Sequence, residues 1–99
     1  MKVEVSKSDN PKKKYKIVLH YETGKTKTIH IGQAGADDFT KTKNIEQKKL
    51  YIDRHKKREN WTKSGIDTAG FWAFHLLWNK SSLSASKKDI ENKFKVNIN

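Results

Sequence analysis

The segment Arg54–Trp61 holds the side chains of this chain that are best suited to chemistry with a polyanion. Written RHKKRENW, it places four permanently charged cations within five residues, and an amide and an indole follow at Asn60 and Trp61. Cationic groups contact phosphates, whereas aromatic and amide groups can stack on bases or hydrogen-bond to their edges. The pattern indicates a surface that binds nucleic acid.

The charge around this segment is strongly biased. The 99 residues carry a net charge of +11, from 22 basic and 11 acidic side chains. Residues 41–63 hold nine basic and three acidic groups, whereas solvated helices usually mix the two signs. A second basic block, residues 1–32, holds eight lysines and three acids. Such a field attracts polyanions, and of these we predict DNA rather than RNA, bound mainly through its phosphates and with little dependence on sequence.

The predicted contact residues come from both basic blocks. They are Lys12, Lys13, Lys14, Lys16, Lys27, Lys48, Lys49, Arg54, His55, Lys56, Lys57, Arg58, Asn60 and Trp61. Structural roles compete with this interpretation, because a lysine-rich run is often only a solvated helix face. Trp61 can equally anchor the core, and Asn60 can equally cap a helix end rather than contact an adenine.

Catalytic and metal-binding patterns are weak in this sequence. The absence of cysteine excludes disulfides, thiolate catalysis and cysteine-based zinc sites. Asp37 and Asp38, with His55 as a general base, would suit a magnesium-dependent nuclease, but paired aspartates in a glycine-rich loop are typically turn residues. The Gly24-Lys25-Thr26 triplet lacks the upstream glycine and the following helix of a phosphate-binding loop. We therefore predict a protein that is not an enzyme and uses no metal or cofactor.

Alternating apolar residues in the first third of the chain predict a small antiparallel sheet. Strands are expected at residues 2–6, 14–21 and 25–31, and Glu22-Thr23-Gly24 is expected to form a three-residue hairpin loop between the last two. This loop sets a register that pairs apolar residues: Ile17 with Ile29 and Tyr15 with Ile31.

The remainder of the chain predicts helices. Asn44 is placed to cap a basic outer helix over residues 45–58, with Gln47 as its reciprocal partner. An almost wholly apolar helix over residues 69–78 follows Thr68 and is expected to be buried, with His75 as a hydrogen-bonded core residue. A last short helix is expected after Ser84 or Ser86, and residues 96–99 are expected to fray.

These elements predict a single α+β domain. A three-stranded antiparallel sheet in residues 1–40 is followed by two or three helices in residues 41–95. The apolar face of the sheet (Tyr15, Ile17, Leu19, Ile29, Ile31) is expected to pack on Phe71, Phe74, Leu77 and Trp78, with Trp72 and Trp78 in the core.

Several longer segments between Gly32 and Ile90 carry a family resemblance. They are Ile31-Gly32 with Gly35, Asp38-Phe39-Thr40, Tyr51 to Trp61, Thr68-Ala69-Gly70-Phe71-Trp72 and Leu76-Leu77-Trp78-Asn79-Lys80. In these segments the chain resembles a family of small basic proteins of unknown function encoded by giant and other large eukaryotic (nucleocytoplasmic) DNA viruses. The resemblance implies a viral setting, in the virion or in the infected host cell, and is compatible with a genome-associated role. The alternative is a structural virion or minor capsid component that contacts capsid or core proteins.

No apolar run follows Met1, and no stretch of the sequence is apolar over the length of a membrane-spanning helix. We therefore expect neither secretion nor membrane insertion. The pattern predicts no particular oligomeric state.

Overall fold

A computed structural model describes all 99 residues as one α+β domain. The strands are β1 (Lys2–Lys7), β2 (Lys13–His20), β3 (Thr26–Gln33) and β4 (Asn97–Ile98). The helices are α1 (Phe39–Thr42), α2 (Ile45–His55), α3 (Ala69–Trp72, continued in π-helical form over Ala73–Trp78) and α4 (Leu83–Phe94), with a 3-10 turn at Lys63–Gly65. The α+β class is as predicted, but there are four strands rather than three and four helices rather than two or three.

The additional strand, β4, makes the sheet mixed. The strand order is β3-β2-β1-β4, and β4 runs parallel to β1 whereas the other pairs are antiparallel. The prediction that residues 96–99 fray is therefore wrong. Asn97 N donates to Met1 O at 3.1 Å, Asn99 N donates to Val3 O at 3.1 Å, and the Val96 side chain is buried. These contacts fix the end of the chain against its beginning.

The hairpin between β2 and β3 is confirmed. Tyr21 N donates to Lys25 O at 2.9 Å across the loop, and Gly24 has φ +90°, a conformation that glycine adopts without steric cost. The register is also as predicted: Ile17 lies opposite Ile29, and Tyr15 lies opposite Ile31.

The core lies between one face of the sheet and helices α3 and α4. Its buried members are Val3, Ile17, Leu19, Ile29, Ile31, Ile66, Phe71, Trp72, Leu76, Leu77, Ile90 and Val96. Trp72 is completely buried, and its indole Nε1 donates to Ile66 O at 2.6 Å, which satisfies the polar atom of this ring. Phe71 and Leu77 take their predicted places.

Phe74 and Trp78 do not take the places predicted for them. Both are only half-buried: Phe74 stacks on Trp61 and Trp78 stacks on Tyr51, so Phe74 lies outside the core cluster and Trp78 only packs against it. The π-helical winding of this segment is the physical reason. Hydrogen bonding from i to i+5 turns each residue through a smaller angle than an α-helix does, so α-helical spacing misplaces the faces.

The start of α2 is correct and its end is not. Asn44 Oδ1 accepts from Gln47 N at 3.1 Å, as a helix cap does. The Gln47 side chain, however, accepts from Thr42 Oγ1 at 3.1 Å and does not reach back to Asn44. The helix ends at His55 instead of Arg58, and residues 56–58 form a turn.

The predicted cap of α3 is correct, and the predicted cap of α4 is not. Thr68 Oγ1 accepts from Phe71 N at 3.3 Å, which confirms the predicted start of α3. The cap of α4 is Ser82, whose Oγ accepts from Ala85 N at 3.1 Å, so the prediction of Ser84 or Ser86 is wrong. Ser82 is the last residue with extended backbone before the helix, whereas Ser86 is buried within it.

Candidate nucleic-acid interface

Helix α2 lies at the periphery of the domain and is attached mainly through one aromatic ring. Tyr51 is the only buried residue of α2, and its ring stacks on His55 at 4.1 Å and on Trp78 at 4.6 Å between centroids. Burial raises the pKa of Tyr51 above its usual value, which keeps the phenol neutral. Helical periodicity then directs the opposite side of α2 to solvent.

Four cations on and just after α2 are free, and we call this set the α2 surface. It consists of Lys49, Arg54, Lys57 and Arg58. All four side chains are exposed, and none forms an ion pair or donates a side-chain hydrogen bond within the fold. Lys56 lies beside them in an exposed pair with Asp53 at 3.6 Å, the kind of contact that contributes little in water. The α2 surface therefore presents uncompensated positive charge.

Lys48 points to the inner side of the same helix. Its Nζ donates to Asn79 O at 2.6 Å and lies 5.0 Å from the centre of the Phe39 ring. Desolvation, followed by repulsion from Lys80 and Lys93, lowers the pKa of Lys48 below its usual value. These contacts tie α2 to the end of α3, so Lys48 holds the helix in place and lies apart from the α2 surface.

His55 also belongs to the attachment of α2. Its Nδ1 lies 3.2 Å from Glu59 Oε2, while its ring stacks on Tyr51. Sequence reasoning overlooked Glu59, although the spacing of Tyr51, His55 and Glu59 at four-residue intervals is a visible signal of a common face. Gly70 makes room for this carboxylate, since a Cβ atom there would lie 2.6 Å from Glu59 Oε1.

Asn60 and Trp61 are held by contacts within the protein, but Asn60 closes a loop turn instead of capping a helix, and Trp61 lies outside the core cluster. Asn60 Oδ1 accepts from Thr62 N at 3.0 Å, and its Nδ2 donates to Ser64 Oγ at 2.7 Å. The half-buried Trp61 ring stacks on Phe74 with centroids 4.1 Å apart. Both side chains therefore stabilise the connection from α2 to α3.

Buried His75 supports the same connection. Its Nε2 donates to Trp61 O at 2.8 Å, while its Nδ1 has no partner, so the predicted core histidine is only half satisfied. Burial is the main cause that lowers the pKa of His75, and the hydrogen bond to Trp61 only partly opposes it. The ring is therefore neutral near pH 7.

The predicted lysines of the sheet are scattered. Lys12 and Lys13 are exposed and unpaired, whereas Lys16 Nζ lies 3.8 Å from Asp9 Oδ2. Lys27 lies opposite Leu19, at the other end of β2 from Lys12 and Lys13, and its Nζ donates to Asp67 O at 2.7 Å. Lys14 donates to Ala36 O and to a carboxylate of the loop before α1. The fourteen predicted residues do not form one continuous site.

The carboxylate bound by Lys14 belongs to Asp38, which caps α1. Asp38 Oδ1 accepts from Thr40 N at 2.9 Å and from Lys41 N at 3.2 Å. Burial opposes its ionisation, but the hydrogen bonds from Lys14 and Thr40 outweigh burial and hold the pKa of Asp38 below its usual range. The Lys14–Asp38 pair joins β2 to α1.

The three residues that suggested a nuclease do not meet. Asp38 is bound to Lys14, Asp37 Oδ1 lies 3.6 Å from Lys41 Nζ, and His55 lies against Glu59. No group of three His, Asp or Glu side chains is arranged to hold a metal ion. The three side chains that the nuclease alternative would use are therefore engaged in separate contacts.

The fold and the α2 surface define a small basic α+β domain with a cationic outer helix. A family model named DUF5754, described as a family of unknown function, matches residues 3–55, and the chain belongs to this family. The matched region runs from β1 to the end of α2, and so includes the strands that lie outside the resemblance noted above. No curated protein and no solved structure matches the chain. None of the helices has the length and apolar character needed to cross a membrane.

Proposed function

We propose that this protein binds nucleic acid, and duplex DNA in particular, through phosphate contacts made by the α2 surface, and that it catalyses no reaction. The observation that carries this proposal is the set of four exposed cations without a partner: Lys49, Arg54, Lys57 and Arg58. Three other surface lysines, Lys41, Lys56 and Lys93, lie beside a carboxylate, whereas none is paired with these four cations. A phosphate backbone supplies the missing anions.

The length of the α2 surface suits several phosphates at once. From Lys49 to Arg54 a helical rise spans about 7.5 Å, and Lys57 and Arg58 follow in the turn after the helix. Duplex DNA carries one negative charge per about 1.7 Å of its axis. The two arginines also offer forked donors that can bind a phosphate through two hydrogen bonds. Binding is driven by release of counterions condensed on the DNA.

The amide and indole side chains beside these cations are already engaged, which favours binding that is independent of sequence. Amides are the side chains that read adenine, but Gln47 is hydrogen-bonded to Thr42 and Asn60 is bound within its own loop. Trp61 is stacked on Phe74. Contacts to phosphates alone fix the position of a protein on DNA without selecting a sequence.

The proposal is tested by measuring fluorescence anisotropy with several unrelated duplexes at low salt. The variant Arg54→Ala/Arg58→Ala is expected to lose affinity for all of them alike, because phosphates are common to all. The control is Lys25→Ala/Lys88→Ala, which removes the same charge at two other exposed, unpaired positions and is expected to bind nearly as the unaltered protein does. A loss confined to one sequence, or an equal loss in the control, contradicts the proposal.

A second candidate function rests on two exposed aliphatic side chains. Ile45 and Leu50 on α2 are 55% and 59% exposed and are the two large hydrophobic side chains that the fold leaves exposed. An acidic protein, such as a capsid or core protein in the viral setting that the resemblance implies, would cover both the apolar and the cationic groups. Salt distinguishes the two candidate functions, because apolar contacts with a protein persist at salt concentrations that release DNA. The variant Ile45→Ser/Leu50→Ser is expected to weaken a protein complex and to leave DNA affinity unchanged.

A further inference from the structure

A cleft of about 450 Å³ opens at the end of the sheet, between the β1–β2 loop and the loop that precedes α1. Its volume falls within the range of small-molecule sites, which extends from about 300 to 1,000 Å³. Nothing proposed above uses this cleft. Its lining includes no carboxylate, although the chain has eleven acidic residues.

Tyr15 is the one aromatic residue that lines the cleft. Tyr15 lies between Lys7 of β1 and Ile31 of β3 in the strand register. It shares the face of the sheet that carries the core residues Ile17 and Ile31 and packs against the core cluster, but it remains only half-buried. An aromatic surface is therefore accessible within a polar cleft.

Two ammonium groups stand at the cleft without partners. Lys7 and Lys13 are exposed, and neither forms an ion pair or donates a side-chain hydrogen bond. The third lysine of the lining, Lys14, is held by Asp38 and by Ala36 O, so its charge is compensated. The nearby Asp9 carboxylate is directed to Lys16. The cleft consequently carries a net positive charge.

The loop that bears these groups is held in place by the backbone. Ser8 N donates to Lys14 O at 3.1 Å, Lys13 N donates to Asn10 O at 3.0 Å, and Lys12 N donates to Asn10 Oδ1 at 3.0 Å. A loop closed in this way orders the cleft before a ligand arrives, which lowers the entropic cost of binding.

We propose that this cleft binds a nucleotide, with its phosphate between Lys7 and Lys13 and its base on the Tyr15 ring. Two ammonium groups suit a phosphate, and an aromatic face suits any base by stacking. The nucleotide is either free or one unit of a single strand, since both offer the same phosphate and base. This site does not depend on the α2 surface.

The test is a titration of the full chain followed by the backbone amide signals in nuclear magnetic resonance. The probes are adenosine monophosphate, adenosine, inorganic phosphate and a short single-stranded oligonucleotide. Adenosine monophosphate is expected to shift the signals of residues 7–15 and 34–35 in a saturable way, and to bind more tightly than adenosine or phosphate does. A stronger response to the oligonucleotide than to the monophosphate assigns the site to a strand, and the reverse assigns it to a free nucleotide.

Two variants separate the parts of the site. Lys7→Ala/Lys13→Ala is expected to weaken nucleotide binding about tenfold or more, since two charge-assisted contacts are lost, whereas the control Lys25→Ala/Lys88→Ala retains it. Tyr15→Leu is expected to weaken binding of the monophosphate but not of inorganic phosphate. The dispersion of the amide signals reports whether each variant is folded.

Three results overturn the proposal. The first is the lack of saturable shifts with any probe up to about 10 mM, the limit of weak specific binding. The second is equal affinity for phosphate and for the monophosphate, which removes the role of Tyr15. The third is a set of shifts on the α2 surface instead of the cleft. Because Arg54 and Arg58 lie outside the cleft, failure of duplex binding and failure of nucleotide binding are distinguished by separate variants.

Discussion

The rings of Tyr51 and Trp78 stack with their centroids 4.6 Å apart and their planes inclined by only 6°. This contact joins α2 to the helix that supplies Phe71, Trp72, Leu76 and Leu77 to the core. A hydrogen bond from Lys48 to Asn79 O also ties α2 to the end of this helix. The contacts of Tyr51 and Lys48 therefore position the helix that carries Lys49 and Arg54.

Replacement of Tyr51 by alanine is expected to destabilise the protein by about 3 kcal/mol, since it removes a buried ring and leaves a cavity. Urea denaturation measures this free energy of unfolding. Leu50→Ala is the control on the same helix, because Leu50 is exposed and its removal is expected to change stability by no more than about 0.5 kcal/mol. Similar losses in the two variants would show that Tyr51 does not anchor α2.

The Lys14–Asp38 pair allows a graded test of the contact between β2 and α1. Asp38→Asn keeps a capping side chain and removes the charge that Lys14 needs, so we expect a loss of about 2–3 kcal/mol. Asp38→Ala also removes the cap and is expected to lose about 1 kcal/mol more. Thermal or urea unfolding near pH 7 gives both values. Equal stability of the two variants would contradict the capping role.

The pH dependence of this pair has a definite sign. Since the pKa of Asp38 is lowered in the fold, its contribution to stability is complete above the ordinary carboxyl pKa of about 4 and is lost as the pH falls through the lowered pKa. The difference in stability between the unaltered protein and Asp38→Asn is therefore expected to shrink in acid. A difference that stays constant down to pH about 2 contradicts this linkage.

His75 provides a second test by pH in a higher range. Its pKa is lowered by burial, so the unfolded chain takes up a proton first as the pH falls through about 6.5, and stability decreases. The charged neighbours, Lys93 and Asp89, act in opposite directions and are secondary to burial. Between pH about 7.5 and 5.5, the protein is expected to lose about 1 kcal/mol more than His75→Gln does. An identical pH profile in the two proteins excludes His75 as the source.

Local patterns determined the parts of the fold that were predicted correctly. The hairpin register follows from Gly24 and from alternation within neighbouring strands, and the caps Asn44 and Thr68 act on amides three residues away. The cap of α4 and the end of α2 are local errors, whereas two others come from contacts between distant parts of the chain or from irregular winding. The two-residue strand β4 pairs with β1 at the other end of the sequence, and π-helical winding turns Phe74 and Trp78 away from the expected face.

The candidate interface was only partly predictable for the same reason. Charge bias alone identified the region of α2, and the structure leaves Lys49, Arg54, Lys57 and Arg58 free there. Which lysines are already bound depends on partners far along the sequence: Asp38 for Lys14 and Asn79 for Lys48. The cleft was not predicted, because it forms only where two loops that are distant in sequence meet beside Tyr15.

The most direct test of the central proposal is the salt dependence of binding to random-sequence duplex DNA. If the four cations of the α2 surface each neutralise one phosphate, the logarithm of the binding constant should fall against the logarithm of salt concentration with a slope of about −3.5. Arg54→Ala/Arg58→Ala should flatten this slope by about 1.8, while Lys25→Ala/Lys88→Ala should leave it unchanged. A slope that is the same in the arginine variant as in the unaltered protein would contradict phosphate binding by the α2 surface.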